Sequence, residues 1–251
     1  MIALRGKRAL VTGGSRGIGA ETARLLAECG ADVGIGYLRR EEDAASVVRD
    51  CAALGVRAFA HAADISTAEG TDDLFARAER ELGGLDIFVG NAGIWPPDVA
   101  TLAEMDDERW ARTMRQNVDS IFYSTRRAAR MIGKGGRIVL VSSTAAQRGE
   151  AYHADYAASK GALISLVKSL CIELAPRDVT VNCVAPGWVD TEMSAIAYAS
   201  GGKERIADSI PLGRVATARD IAGPIVFLCS EHARHVTGEV LNVNGGSVLC
   251  G

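Results

Sequence analysis

The stretch from residue 8 to residue 30 limits the fold more than any other. Arg8-Ala9-Leu10-Val11-Thr12 is a short apolar run that predicts a buried strand. Gly13-Gly14-Ser15-Arg16-Gly17-Ile18-Gly19 follows as a tight turn, and 20–29 reads as a helix stopped by Gly30. Strand, glycine-rich turn and helix in that order bring bare backbone to the N-terminus of a helix. Unpaired N–H groups and the helix dipole there can hold a pyrophosphate. The candidate phosphate-contacting residues are Gly13, Ser15, Arg16, Gly17, Ile18 and Gly19.

The rest of the chain repeats the alternation. Further strands are expected at 31–37, 56–62, 85–89, 137–141, 179–185 and 240–243. Helices are expected at 42–54, 67–82, 106–131, after Tyr156, and at 218–229. Strands alternating with helices imply an α/β fold: one doubly wound, seven-stranded parallel sheet with helices on both faces. Ligand would then sit at the carboxyl ends of the strands. No linker, repeat or low-complexity segment interrupts the pattern, so a single domain over 1–251 is expected. Only 192–215 is weakly patterned, with Gly201-Gly202 inside it, and it is expected to act as a mobile lid over the substrate.

Composition narrows the partners. The chain has 48 % hydrophobic and 24 % charged residues, the balance of a globular protein with a sizeable core. Its net charge of −3 offers no electrostatic case for nucleic acid or an anionic membrane. No stretch approaches the ~20 apolar residues of a membrane span, and Met1–Lys7 is too short for a signal peptide. Six scattered cysteines, Cys29, Cys51, Cys171, Cys183, Cys229 and Cys250, show no Cys-x-x-Cys pair and no adjoining histidine cluster. They read as reduced thiols of a cytoplasmic protein, and no metal site is expected.

Candidate chemistry lies between Ser142 and Lys160. Tyr156 and Lys160, four apart on a predicted helix, project from one face. A free phenol titrates near ~10, and an ammonium one turn away favours the phenolate. A serine at the end of the preceding strand, Ser142 or Ser143, can hydrogen-bond a substrate oxygen. Together they suit proton transfer in a carbonyl/alcohol interconversion. Asn117, among apolar neighbours in the middle of a predicted helix, is expected to be buried with its amide engaged.

Cofactor choice is readable at the end of the second strand. An acid there would bond a ribose 2′-hydroxyl and repel a 2′-phosphate. Tyr37 stands in its place, with Arg39 and Arg40 beyond it and Arg16 in the glycine turn. Three guanidinium groups and no carboxylate favour NADP(H) over NAD(H).

These motifs give the chain a resemblance to the short-chain dehydrogenases/reductases over essentially its whole length. Thr12-Gly13-x-x-x-Gly17-x-Gly19 resembles the family's cofactor motif, and Asn91-Ala92-Gly93 its sheet-stabilising motif. Asn117, Ser143, Tyr156 and Lys160 fall where its catalytic tetrad falls, and Pro186-Gly187 through Val189 and Thr191 resembles its nicotinamide loop. Thr237-Gly238-Glu239-Val240 with Asn244-Gly245-Gly246 resembles its C-terminal signature. The resemblance implies a Rossmann fold that also uses Asp64 and Ile65 for the cofactor. Tyr156 would act as proton donor, Lys160 would lower the Tyr156 pKa and bind the ribose, and Ser143 would orient the carbonyl. Asn117, through its backbone, would hold a water linking Lys160 to solvent. A homotetramer, built through the Asn117 and Tyr156 helices and the C-terminal strand region, is implied as well.

Within the family the chain is most similar to the bacterial 3-oxoacyl-[acyl-carrier-protein] reductases. Ile210-Pro211-Leu212-Gly213-Arg214 is typical of them, and Arg177 and Lys134 lie near positions that face the acidic carrier protein. Ile94-Trp95-Pro96-Pro97 departs from their more polar loop. Trp95, Trp188, Met193 and Tyr198 can instead wall an apolar pocket for a small ketone, sugar or secondary alcohol.

Overall fold

The computed structural model describes residues 2–249, so Met1, Cys250 and Gly251 lie outside the described residues. The chain runs β1 (Arg8–Thr12), α1 (Gly17–Glu28), β2 (Asp32–Tyr37), α2 (Glu41–Ala53), β3 (Ala58–Ala62), α3 (Ala68–Leu82) and β4 (Leu85–Gly90). It continues through α4 (Asp107–Met114), a π-helical turn at Arg115–Asp119, α5 (Ser120–Met131), β5 (Ile132–Val141), α6 (Ala145–Arg148), α7 (Ala154–Leu174) and β6 (Thr180–Pro186). The segment 192–215 holds two short 3-10 turns and α8 (Gly202–Asp208), before α9 (Ala218–Leu228) and β7 (Val240–Val243).

All seven strands are parallel, in the order β3-β2-β1-β4-β5-β6-β7. The sheet separates two apolar cores, and successive residues of one strand feed both. Ala9 and Val11 of β1 pack with Leu26 of α1, Val47 of α2 and Ile225 of α9. Leu10, between them, packs with Leu74 of α3, Ile121 of α5 and Val167 of α7. Strands buried on both faces explain the apolar runs without alternation in the sequence.

The winding direction reverses between β1 and β4, which opens a crevice at their carboxyl ends. Local chemistry sets the helix ends around it. Thr67 caps α3 by accepting from the Gly70 N–H at 3.0 Å, and Gly83 closes it in the left-handed conformation. Thr217 and Asp220 form a reciprocal capping box at α9. The helix expected over 106–131 is interrupted, because the turn around Asn117 widens. No helix of the described residues is long and apolar enough to cross a membrane.

Candidate active site

A cleft of about 730 Å³ opens over the carboxyl ends of β1 to β6. Of the residues expected to bind cofactor, Gly13, Ser15, Arg16, Gly17, Ile18, Tyr37, Arg39, Asp64, Ile65, Asn91, Ala92, Gly93, Tyr156, Lys160, Pro186, Gly187, Val189 and Thr191 all line it. Ser143, Trp95, Trp188 and Met193 line it too. Gly19 and Asn117 do not; both act from behind the wall.

The turn after β1 fits a pyrophosphate. No side chain caps α1 and no acid occupies its first turn, so its leading N–H groups remain available to an anion. Gly13 has φ +64°, and a Cβ there would come within 3.0 Å of the Ala92 backbone. At Gly19 the constraint is packing. A Cβ there would lie 2.2 Å from the Gly13 carbonyl oxygen, so its absence lets α1 pack onto the turn. Asn91 fastens β4 to β1, donating through Nδ2 to the Thr12 carbonyl at 2.9 Å and the Gly13 carbonyl at 3.2 Å. The Thr12 hydroxyl accepts from the backbone N–H of Asn91 and Ala92 at 3.0 and 3.2 Å.

Pairing to β6 continues beyond β5, since Ser142 N–H donates to Val184 and Thr144 N–H to Pro186, at 2.8 and 2.9 Å. This separates the two serines. Ser142 is buried and its hydroxyl donates to the Lys160 carbonyl at 2.8 Å. Ser143 instead lines the cleft beside Tyr156, its hydroxyl accepting from the Ala145 N–H at 3.1 Å.

Lys160 is buried, with Nζ donating to the Val141 carbonyl at 2.9 Å and standing 5.9 Å from the centre of the Tyr156 ring. Burial brings it down to about 8, opposed weakly by Cys183. Burial pushes the Tyr156 phenol up to about 12; the neighbouring Ser143 hydroxyl opposes this and the Glu150 carboxylate adds to it. Part of the Tyr156 side chain faces the open cleft, where solvent moderates the push. In the protein alone Lys160 is not among the groups that set the phenol. Its ammonium is turned to the Val141 carbonyl, and desolvation governs the phenol instead. Tyr156 holds its proton at neutral pH.

Asn117 is buried, with both ends of its amide engaged. Its Oδ1 accepts from Ile94 N–H at 2.7 Å, and Nδ2 donates to the Ile94 carbonyl and the Ser159 hydroxyl, both at 2.9 Å.

The expected aromatic wall brings in partners that no motif signalled. Trp95 stacks on His153, with ring centres 4.5 Å apart, and donates through Nε1 to Glu150 at 3.1 Å. Trp188 meets the edge of Trp95 at 6.3 Å and Tyr198 at 6.0 Å. Beneath them Arg109 and Asp155 form a buried ion pair at 3.1 Å. At the other end, Arg16 and Arg40 both reach Glu192, whereas Arg39 forms no ion pair among the described residues. Arg177 is committed elsewhere: its guanidinium donates to the Ala129 and Ile132 carbonyls at the end of α5. Lys134 is exposed.

A family model described as enoyl-(acyl carrier protein) reductase matches residues 13–247. The chain belongs to the short-chain dehydrogenase/reductase family. A 3-oxoacyl-[acyl-carrier-protein] reductase from Vibrio cholerae serotype O1 is 40% identical over 98% of this chain and 99% of its own. An L-rhamnose 1-dehydrogenase (NAD(P)(+)) from Azotobacter vinelandii is 38% identical over 96% of each chain. A short-chain dehydrogenase from Burkholderia cenocepacia, solved in complex with NADP, superposes with a TM-score of 0.91 at 39% identity, covering 97% of this chain and 98% of its own. As a member of this family, the chain is an oxidoreductase that uses a nicotinamide cofactor.

Proposed function

We propose that the protein interconverts a ketone and a secondary alcohol with NADP(H), using Ser143, Tyr156 and Lys160 on the reacting groups. The observation that carries this reading is their convergence in one cleft: Ser143, Tyr156 and Lys160 all line it, and Lys160 lies one turn after Tyr156 on α7. The cofactor, when bound, supplies or accepts the hydride. Ser143 and Tyr156 point two hydroxyls at one carbonyl oxygen, and Tyr156 delivers the proton as negative charge develops there. Lys160, freed from the Val141 carbonyl, binds ribose hydroxyls and stabilises the phenolate left behind. Asn117 fixes the loop at Ile94 and the helix at Ser159, and its backbone at the widened turn supports a water between Lys160 and solvent. Arg16, Arg39 and Arg40 beside Tyr37 favour a 2′-phosphate.

The aromatic wall of Trp95 and Trp188, closed by Tyr198, favours a compact free ketone, sugar or alcohol. Residues 192–215 form the lid over it. They leave and re-enter the body where Val189 pairs with Ala216, with Asp190 N–H donating to Ala216 at 2.8 Å. A 3-oxoacyl thioester is the second reading, favoured by kinship and by Ile210–Arg214. Against carrier-protein docking stands Arg177, whose donors already serve helix carbonyls. Enoyl reduction fits less well, because paired hydroxyls suit an oxygen rather than two reacting carbons.

The exposed Trp110, Phe122 and Ile172 on α4, α5 and α7 support a homotetramer built through these helices. Scattered cysteines suit a cytoplasmic site of action, and one domain over 1–251 accounts for the single sheet.

The test is NADPH oxidation with an acetoacetyl thioester beside cyclic ketones and ketoses, with Tyr156→Phe as control. Turnover that disappears in the variant supports the reading, and the preferred substrate decides between its two forms. Undiminished turnover in Tyr156→Phe, or no turnover of any carbonyl by an NADPH-binding protein, overturns it.

A further inference from the structure

Two arginines from different elements meet on one carboxylate oxygen. Arg16 ends the glycine turn and Arg40 immediately precedes α2. Their guanidinium groups contact Oε2 of Glu192, Arg16 through Nη1 at 2.5 Å and Arg40 through Nη2 at 3.1 Å. Arg40 also lies 3.7 Å from Asp43. Glu192 follows Thr191 at the root of the lid, and Thr191 reaches across the cleft to Gly17, where an added Cβ would meet it at 3.4 Å. Arg16, Arg40 and Glu192 all line the same cleft. The acid expected of an NAD(H) enzyme is absent from the end of β2, and this structure brings a carboxylate to Arg40 and Arg16 from 152 and 176 residues away.

We propose that Glu192 is a specificity-determining residue: it holds Arg16 and Arg40 as their counter-charge, and the 2′-phosphate of NADP(H) displaces it. The inference rests on the NADP(H) reading above. A phosphate monoester carries about −1.5 to −2 charge at neutral pH and seeks the paired donors that the two guanidinium groups present. It cannot share them with a carboxylate without like-charge repulsion. NADP(H) therefore releases the lid root from the arginines, whereas NAD(H), with no phosphate to compete, leaves it tied. By linkage, whatever the phosphate loses in expelling Glu192 is removed when the carboxylate is removed.

Glu192→Gln keeps the size and hydrogen-bonding capacity and deletes the charge. The probes are adenosine 2′,5′-bisphosphate against adenosine 5′-monophosphate, and NADPH against NADH, followed by fluorescence titration at low and high salt. Glu192→Gln is expected to tighten both 2′-phosphorylated ligands about threefold, within the range of an exposed ion pair, and to leave the other two unchanged. The gain shrinks as salt rises. Arg40→Gln is expected to lose preference for the 2′-phosphate. If wild type binds the bisphosphate no tighter than the monophosphate, the NADP(H) reading fails and this inference with it. If wild type prefers the bisphosphate but Glu192→Gln binds it equally or more weakly, Glu192 does not compete and only this inference is overturned.

Discussion

Replacing Arg109 with methionine tests what holds the substrate loop and the start of α7 in place. Asp155 is fully buried and accepts from Arg109 Nε at 3.1 Å, Arg109 Nη2 at 3.2 Å and the Thr113 hydroxyl at 2.8 Å. Arg109 also donates to the Asp98 carbonyl at 2.6 Å and to the carbonyl of Tyr152, a residue held at φ +67°, at 3.2 Å. Methionine fills the space but strands a buried carboxylate, a loss of about 3–5 kcal/mol. For a chain of this size each kcal/mol lowers the melting temperature by about 2–4 °C, so a fall of roughly 6–20 °C is expected by calorimetry. The pH dependence carries the sign. Burial raises the Asp155 carboxyl, but Arg109, Thr113 and the Tyr156 N–H outweigh it and leave a net lowering. Its stabilisation is present above the unfolded value near ~3.9 and is lost as pH falls through the folded value. Without Arg109 burial dominates, the folded value rises, and protonation relieves the variant. The gap between wild type and Arg109→Met must therefore narrow as pH falls toward ~4, and Asp155→Asn added to Arg109→Met must recover part of the loss. A fall under about 2 °C at neutral pH, or a gap that stays constant with pH, refutes the reasoning.

Other consequences are as direct. Tyr156→Phe should lower turnover by about 10²–10⁴-fold with NADPH binding intact by fluorescence, as expected for a lost general acid. Gly19→Ala should destabilise the protein and weaken dinucleotide binding in the same titration, because its Cβ meets the Gly13 carbonyl at 2.2 Å. Lys160, lowered to about 8 from its ordinary 10.5, binds fewer protons folded than unfolded between those values. Stability of the cofactor-free protein should rise with pH across that window in wild type and not in Lys160→Met, as read by denaturant titration. Light scattering at micromolar concentration should give a tetramer mass, and a monomer would refute the assembly.

The alternation of strands and helices was legible because each element declares itself locally, through apolar runs, glycines and caps. So was the burial of Asn117, from its apolar neighbours Val118 and Ile121. What was not legible depends on contacts distant in sequence. The widened turn at Asn117 answers to Ile94, 23 residues earlier. The Arg109–Asp155 pair spans 46 residues, and the Arg16–Glu192 contact 176. Arg177 shows the converse: a basic residue near the expected docking face satisfies the last carbonyls of a helix, a commitment that local sequence does not reveal. Local pattern names the residue type; only the fold says which polar group it must satisfy.

Asn117 also explains why one side chain is needed where α4 and α5 meet. A regular helix through 106–131 pairs every interior carbonyl, but the five-residue π turn loosens that pairing at the level of the cleft. The amide uses the opening in two directions. It grips both backbone groups of Ile94, fixing the loop that follows Asn91-Ala92-Gly93, and it grips Ser159, the residue before Lys160. A Cβ on Gly93 would stand 3.0 Å from the Asn117 Oδ1 and 3.1 Å from the Lys160 Nζ, so loop, amide and ammonium pack into one small volume. Aspartate cannot donate to Ile94 and Ser159, and leucine satisfies none of the three, leaving buried polar groups unpaired at about 1–3 kcal/mol each. The position of Lys160 relative to the cofactor cleft is thus set from two sides: by α7, which carries it, and by a widened turn of another helix that holds the loop against it.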